Sequence, residues 1–176
     1  MNIQGANKTL SPSMLFVGEA YGRAEEAMNF YISMFKNSRI DSIARYEEGE
    51  SEHDPEGKVK YGYFHLMDQE FIAMDSGYAH AFKFDSGVSF IVDCDTQDEI
   101  DAYWKKIGSD GGQEVQCGWI TDKFGMCWQV VPKALSKMMC DKDAERRNRV
   151  MEVVMEMIKP DLKQLQEAYD GIKASV

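Results

Sequence analysis

The stretch Val88-Ser-Phe-Ile-Val92, with Thr96-Gln-Asp-Glu99 shortly after it, decides the fold of this chain. An apolar run of this length is typical of a buried strand. Thr96 and Glu99 have the spacing of a capping box, in which each side chain accepts a backbone N–H at the start of a helix. Apolar residues at helical spacing follow, and Gly108 is suited to end the helix in a left-handed conformation. We therefore predict a strand followed by a helix.

An earlier part of the chain repeats this pattern. Ser13-Met-Leu-Phe-Val17 is another apolar run. A turn follows it, and a helical pattern then runs from Ala24 to Phe35. Aromatic pairs occupy corresponding places in the two helical patterns, Phe30-Tyr31 in the first and Tyr103-Trp104 in the second. The strands are offset by 75 residues (13 to 88) and the aromatic pairs by 73 (30 to 103). The chain therefore contains a degenerate internal repeat.

Three candidate strands follow the helix in each half. They are residues 39–46, 58–67 and 70–75 in the first half, and 113–116, 119–121 and 126–131 in the second. Each half reads β-α-β-β-β, which predicts an α+β fold built of two modules, residues 1–86 and 87–132. Residues 133–176 form a predicted helical tail, because Asp143 and Asp161 are suited to cap two helices separated by Pro160. We expect the three parts to make one compact domain.

Composition excludes several classes of partner. The 176 residues include 20 Lys and Arg against 30 Asp and Glu, which gives a net charge of −10. Nucleic acids and anionic membranes both require clustered basic residues, so neither is an expected partner. No apolar run is long enough to span a bilayer, and the N-terminus lacks the apolar core of a secretory signal. The four cysteines lack metal-site spacing, so we expect free thiols and a cytoplasmic protein.

The repeat resembles the vicinal oxygen chelate superfamily, which has the glyoxalase/bleomycin resistance fold. Within it, the chain is similar to the PhnB-like branch, whose members carry the label 3-demethylubiquinone-9 3-methyltransferase domain. The residues that carry this resemblance are Pro12-Ser-Met-Leu-Phe-Val-Gly18, Phe71-Ile-Ala-Met-Asp75, Cys117-Gly-Trp-Ile-Thr-Asp-Lys-Phe-Gly125 and Trp128-Gln-Val-Val-Pro132. The resemblance implies a cup-shaped sheet in each module, a concave small-molecule site, and assembly as a homodimer.

The resemblance also locates the positions where metal-using relatives place their ligands. Those positions fall near Pro12, Ala73, Gly87 and Gln129. Proline, alanine and glycine have no donor side chain, and glutamine alone is a poor ligand for a transition metal. We therefore predict no metal and no cofactor.

Alternation along the strands predicts which residues line the cup, because successive side chains point to opposite faces of a sheet. The predicted ligand-binding residues are Met14, Phe16, Phe71, Ala73, Ser89, Ile91, Cys127 and Gln129. The same residues could instead fill a core. Asp75, Gln129 and His80 are the catalytic candidates: Asp75 is the carboxylate of the predicted lining, and histidine is the side chain type best suited to acid–base work near neutral pH. For His80 a surface role is the alternative, and for His65 we expect a structural role.

These observations predict a metal-independent protein that binds a small molecule in the cup. One alternative is a lyase, isomerase or transferase acting on a small metabolite, including the methyltransferase of the family label. Against that label, the chain has no glycine-rich dinucleotide-type turn. The other alternative is a dimeric structural or interaction protein whose cup is filled.

Overall fold

Each half of the chain folds as a strand, a helix and three further strands, as the repeat predicts. The computed structural model describes residues 10–172, which divide in sequence between Lys83 and Phe84 into two compact units. Unit 1 contains β1 (Ser13–Phe16), α1 (Ala24–Ile32), β2 (Arg39–Arg45), β3 (Val59–Leu66) and β4 (Gln69–Asp75). Unit 2 contains β5 (Ser89–Cys94), α2 (Gln97–Ile107), β6 (Gln113–Glu114), β7 (Trp119–Thr121) and β8 (Cys127–Pro132), followed by α3 (Lys133–Met139), α4 (Ala144–Glu156) and α5 (Leu162–Asp170). The α+β architecture with C-terminal helices is confirmed.

The two sheets have the same strand order. Unit 1 has the order β1-β4-β3-β2 and unit 2 the order β5-β8-β7-β6. In each sheet the first strand pairs in parallel with the last one, and the remaining neighbours are antiparallel. The parallel pair requires a long crossover connection, which the helix and the two intervening strands provide.

Local sequence signals account for the starts of three helices. The capping box of α2 is present: Thr96 accepts the backbone N–H of Glu99, and Glu99 accepts that of Thr96. Asp143 caps α4 and Asp161 caps α5. The prediction for Gly108 was wrong, because its φ is −73° and the chain continues into a short 3-10 turn. Its lack of a side chain instead permits close packing, since a Cβ there would lie 3.1 Å from Ile120 Cδ1.

In each unit the helix covers one face of the sheet. In unit 1 a Cβ on Gly62 would lie 2.6 Å from the Met28 Sδ of α1, which places Gly62 on the covered face. Gly62 pairs with Ala73, and Ala73 pairs with Met14, so these residues share that face. In unit 2 the buried residues of the sheet on the helix side are Val92, Ile120, Trp128 and Val130, with Ile100, Trp104 and Ile107 contributed by α2.

The C-terminal helices of unit 2 form a small apolar cluster of their own. Its buried members are Met138, Val150, Met157, Leu165 and Ala168. Two backbone hydrogen bonds join the segment after α4 to the turn before β7, one from Cys117 to Met157 and one from Gly118 to Ile158. The tail is therefore anchored to the sheet of its own unit. Among residues 10–172, no helix has the length and apolarity needed to cross a membrane.

Candidate functional site

The predicted ligand-binding residues of unit 1 lie in its core. Met14, Phe16, Phe71 and Ala73 are at most 7 % exposed and share the face that α1 covers. These four residues share one face of the sheet, as the alternation along the strands indicated. That face is the one that α1 covers, and the opposite face is open. Side-chain alternation specifies which residues share a face and not which face the helix covers. Close packing under α1 leaves these four side chains no space for a ligand from solvent.

Asp75 also points toward α1. Its Oδ1 accepts the backbone N–H of Ala24 and its Oδ2 that of Val59, both at 3.1 Å. Burial raises the pKa of Asp75, while these N–H groups and that of Gly22 act in the opposite direction. Arg23, which precedes α1, provides no side-chain cap. Asp75 therefore satisfies the backbone at the start of a helix, which is a structural task.

The open face of unit 1 carries aromatic and aliphatic side chains. Tyr61 and Tyr63 of β3 are 44 % and 37 % exposed, although tyrosine has a large apolar ring. Ile72 of β4, which pairs with Tyr63, is half-buried. His65 follows Tyr63 on the same face, since residues two apart along a strand point the same way. Side chains of residues 59–65 alternate between the two faces of the sheet, but the sequence does not indicate which of the two faces is open.

Asp41 and His65 form a hydrogen-bonded pair at the edge of this face. Asp41 Oδ2 lies 2.5 Å from His65 Nδ1, and Asp41 Oδ1 accepts from Arg39 Nε at 2.7 Å. Pairing between β2 and β3 is irregular between Ile40 and Ser42, so Asp41 is the extra residue of a bulge, a feature that re-aims a side chain. The hydrogen bond from His65 lowers the pKa of Asp41, with Arg39 contributing. Sequence reasoning missed this pair, because a bulge has no local signature here.

The open face of unit 2 contains the predicted residues of that half. Ile91, Gln129 and Trp119 are paired across three neighbouring strands and form one row on the face opposite α2. Ile91 is 61 % exposed, and Gln129 and Trp119 are half-buried. Gln129 Nε2 donates to Ser89 Oγ at 2.8 Å, which fixes the orientation of the amide.

Cys127 belongs to the next row of the same sheet, between Ser89 and Thr121. It is only 5 % exposed. Burial, with the charge of Asp122 nearby, raises the pKa of the Cys127 thiol. A thiol in such surroundings is a poor nucleophile and a poor metal ligand near neutral pH, because both roles need the thiolate.

His80 lies on an exposed segment of unit 1 that follows the end of β4. Its Nε2 is 2.8 Å from Ser76 Oγ, and its ring packs against Phe82 with the centroids 4.8 Å apart. Nearby, the His53 ring packs on Tyr78 at 4.1 Å. Asp75 is therefore in the core of unit 1, and His80 is on a surface loop of the same unit.

Comparison with known proteins places the chain in a family. The family model described as 3-demethylubiquinone-9 3-methyltransferase matches residues 8–131, well over half of the chain. The chain belongs to this family, the PhnB-like branch of the vicinal oxygen chelate superfamily. The chain is also 36 % identical to a Bacillus cereus structure titled a putative 3-demethylubiquinone-9 3-methyltransferase, PhnB protein, with a TM-score of 0.63. That similarity covers 71 % of this chain and 99 % of the Bacillus protein.

A second solved structure supports the fold of this PhnB-like chain. It is a protein from Pseudomonas aeruginosa, 18 % identical, with a TM-score of 0.58 over 72 % of this chain and 98 % of that one. No curated protein matches the chain.

The side chains of this PhnB-like protein do not fit the metal site of the superfamily. Of the positions predicted to correspond to metal ligands, Ala73 is buried under α1, and Gln129 is engaged with Ser89. Across residues 10–172, no group of three or more His, Cys, Asp or Glu side chains is arranged to hold an ion. Such donors are what a catalytic transition metal requires.

Proposed function

We propose that this protein binds a small molecule, without a metal ion, on the open face of the unit 2 sheet. The row Ile91, Gln129 and Trp119 is the observation that carries the proposal. It combines an exposed aliphatic side chain, an oriented amide and an aromatic ring on neighbouring strands. Apolar surface with a few oriented polar groups is the usual composition of a small-molecule site.

The chemistry of the row indicates the class of ligand. Because Gln129 already donates to Ser89, its carbonyl oxygen is the atom best placed to accept a hydrogen bond from a ligand. Trp119 and Ile91 flank the amide and favour a flat, largely apolar body. A planar aromatic compound with one O–H or N–H donor satisfies both conditions.

The first experiment is native mass spectrometry of freshly purified protein, followed by thermal shift with a panel of phenols, aromatic acids and S-adenosylmethionine. A ligand that binds only the folded state raises the melting temperature. Trp119 is the natural reporter, because Trp104 and Trp128 are 6 % and 1 % exposed. We expect a planar phenol or acid to bind and to change Trp119 emission, while S-adenosylmethionine has no effect.

A pair of variants then locates the site. Ile91→Lys places a charge in the row, and we expect it to weaken binding by about tenfold or more. Met67→Lys is the matched control, because Met67 is also an exposed apolar residue, at 56 %, in the β3–β4 turn. If Ile91→Lys and the unchanged protein bound the ligand with equal affinity, the ligand would not bind at this row. Binding of S-adenosylmethionine would favour the methyltransferase alternative.

Acid–base catalysis on a small metabolite is the second candidate function, and the Asp41–His65 pair favours it. A carboxylate that holds His Nδ1 fixes the tautomer and leaves Nε2 to exchange protons with a substrate. The test is exchange of ligand protons in deuterated buffer, followed by NMR. His65→Gln should abolish exchange, Asp41→Asn should slow it, and His53→Gln should leave it unchanged. Exchange at the same rate in His65→Gln would rule this function out.

We also propose that the protein is a cytoplasmic homodimer. Four cysteines without a disulfide are compatible with a reducing compartment, and homodimers are usual for this architecture. Sedimentation velocity of the full chain over a range of concentrations tests the assembly. A single species with the mass of one 20.1 kDa chain at every concentration would show that the protein is a monomer.

A further inference from the structure

Two sulfur-containing side chains meet on unit 2, one from Cys117 in the turn before β7 and one from Met155 of the C-terminal helix α4. Cys117 Sγ lies 3.8 Å from Met155 Sδ. Met151 precedes Met155 by four residues on α4, so both side chains lie on the same side of the helix, and they line one shallow hollow. Met151 and Met155 are 40 % and 58 % exposed, which is unusual for methionine.

Backbone hydrogen bonds join the turn that carries Cys117 to the segment after α4. Cys117 donates its N–H to Met157 O at 2.7 Å, and Gly118 donates to Ile158 O at 3.0 Å. Cys117 has a φ of +60°, a left-handed conformation that costs energy for a residue with a side chain. The turn before β7 is therefore tied to the residues that follow Met155.

We propose that Cys117 and Met155, with Met151 as an additional donor, form a binding site for a soft monovalent metal ion such as Cu(I) or Ag(I). Thiolate and thioether sulfurs are soft ligands, which select such ions over Mg²⁺ or Ca²⁺. Glu152 and Glu156 line the same hollow and add negative charge that attracts a cation.

Binding at this site is a ligation step without electron transfer. The Cys117 S–H loses its proton to solvent, and the resulting thiolate donates an electron pair to the metal ion. The Met155 thioether donates a second pair and remains neutral. One proton is therefore released for each ion bound.

Titration of the full-length protein with Ag(I) tests the site, since Ag(I) does not change oxidation state under these conditions. The reduced protein is titrated by calorimetry against a competing chelator, in buffer without thiols. We expect one tight site, release of one proton per ion, and loss of that site in Cys117→Ser. Met155→Leu keeps the volume but removes the thioether, so it should weaken binding by about tenfold or more, with a smaller loss in Met151→Leu.

Matched controls separate this site from ordinary thiol reactivity. Cys140 is an exposed free cysteine of the same unit, and Cys140→Ser should leave the tight site intact. Ile91→Lys should also bind Ag(I) normally, because the site is independent of the proposed small-molecule face. Thermal unfolding of each variant without metal verifies that it is folded. Unchanged affinity in Met155→Leu, or loss of the site in Cys140→Ser, would overturn the proposal.

Discussion

Asp75, the last residue of β4, accepts the backbone N–H of Ala24, the first residue of α1, at 3.1 Å. A strand thus supplies the cap that Arg23 does not provide. The other carboxylate oxygen of Asp75 accepts from Val59 at the start of β3. One buried side chain therefore joins three elements of unit 1. This also explains why burial of a carboxylate, which is unfavourable by itself, is tolerated here.

We predict that Asp75→Asn destabilises the fold. The asparagine keeps one acceptor oxygen, but its NH₂ group would face one of the two backbone N–H groups that the carboxylate now accepts. Leaving a buried donor unsatisfied costs about 1–3 kcal/mol. Urea unfolding monitored by circular dichroism measures the free energy of unfolding, with Asp68→Asn in the exposed β3–β4 turn as the control. An equal midpoint for both variants would show that the Asp75 hydrogen bonds contribute little.

A second prediction concerns the motif Asp122-Lys-Phe-Gly125 and Trp128. Asp122 is 3 % exposed and accepts the backbone N–H groups of Phe124 and Met126 and the indole N–H of Trp128, the last at 2.9 Å. Asp122→Ala should destabilise unit 2 by at least about 1–3 kcal/mol, because three buried donors lose their acceptor. Urea unfolding measures this loss, and near-ultraviolet circular dichroism reports on Trp128. A native tryptophan signal and an unchanged midpoint in Asp122→Ala would contradict the prediction.

The acidic loop of residues 47–57 gives a third prediction. The loop is rich in acidic residues, yet its Asp54 is 1 % exposed and accepts the Gly77 N–H at 2.7 Å. A Cβ on Gly77 would lie 2.1 Å from the carbonyl oxygen of His53. Gly77→Ala should therefore displace this loop and increase proteolysis within it. Limited digestion followed by mass spectrometry locates the cut, and Ala79→Ser is the control. An unchanged digestion pattern would mean that the loop tolerates the added methyl group.

A fourth prediction follows from the Asp41–His65 pair. The pKa of Asp41 is lowered below its ordinary value of 3.8 in the folded protein, so the folded state binds fewer protons than the unfolded state in this range. The contribution of Asp41 to stability is therefore complete at pH values above its ordinary pKa. It is lost as the pH falls through the lower pKa of the folded state. The stability advantage of the unchanged protein over Asp41→Asn should shrink as the pH is lowered toward 3. Urea midpoints at several pH values measure it, and a constant difference would contradict the assigned direction.

Local signals in the sequence were sufficient to predict most of the elements and their order. The capping box of Thr96 and Glu99 joins residues three apart, and Asp143 and Asp161 bond to N–H groups within the next turn. Such contacts depend on short segments only, so they can be predicted without knowledge of the rest of the fold. The same holds for the repeat and for the motif around Trp128, which together identified the family. Helix α3 was not singled out, since Pro132 precedes it without a side-chain cap.

How far the sequence predicts the lining of a site differs between the units. Ser89, Ile91, Cys127 and Gln129 lie on the face opposite α2. Met14, Phe16, Phe71 and Ala73, for which the sequence left a lining role and a core role open, lie under α1. Alternation has a period of two, so it groups residues correctly but leaves the choice between the two faces open.

The sequence by itself determined the order of elements and the internal repeat. Tertiary structure alone decided which side of each sheet stays open, and it also decided which distant residues meet. Asp41 contacts His65 through a bulge, and Asp75 contacts Ala24 across a crossover. Cys117, in the turn before β7, contacts Met155 of α4. These contacts join residues between 24 and 51 positions apart. Packing brings such residues together, and short-range patterns in the chain carry no record of it.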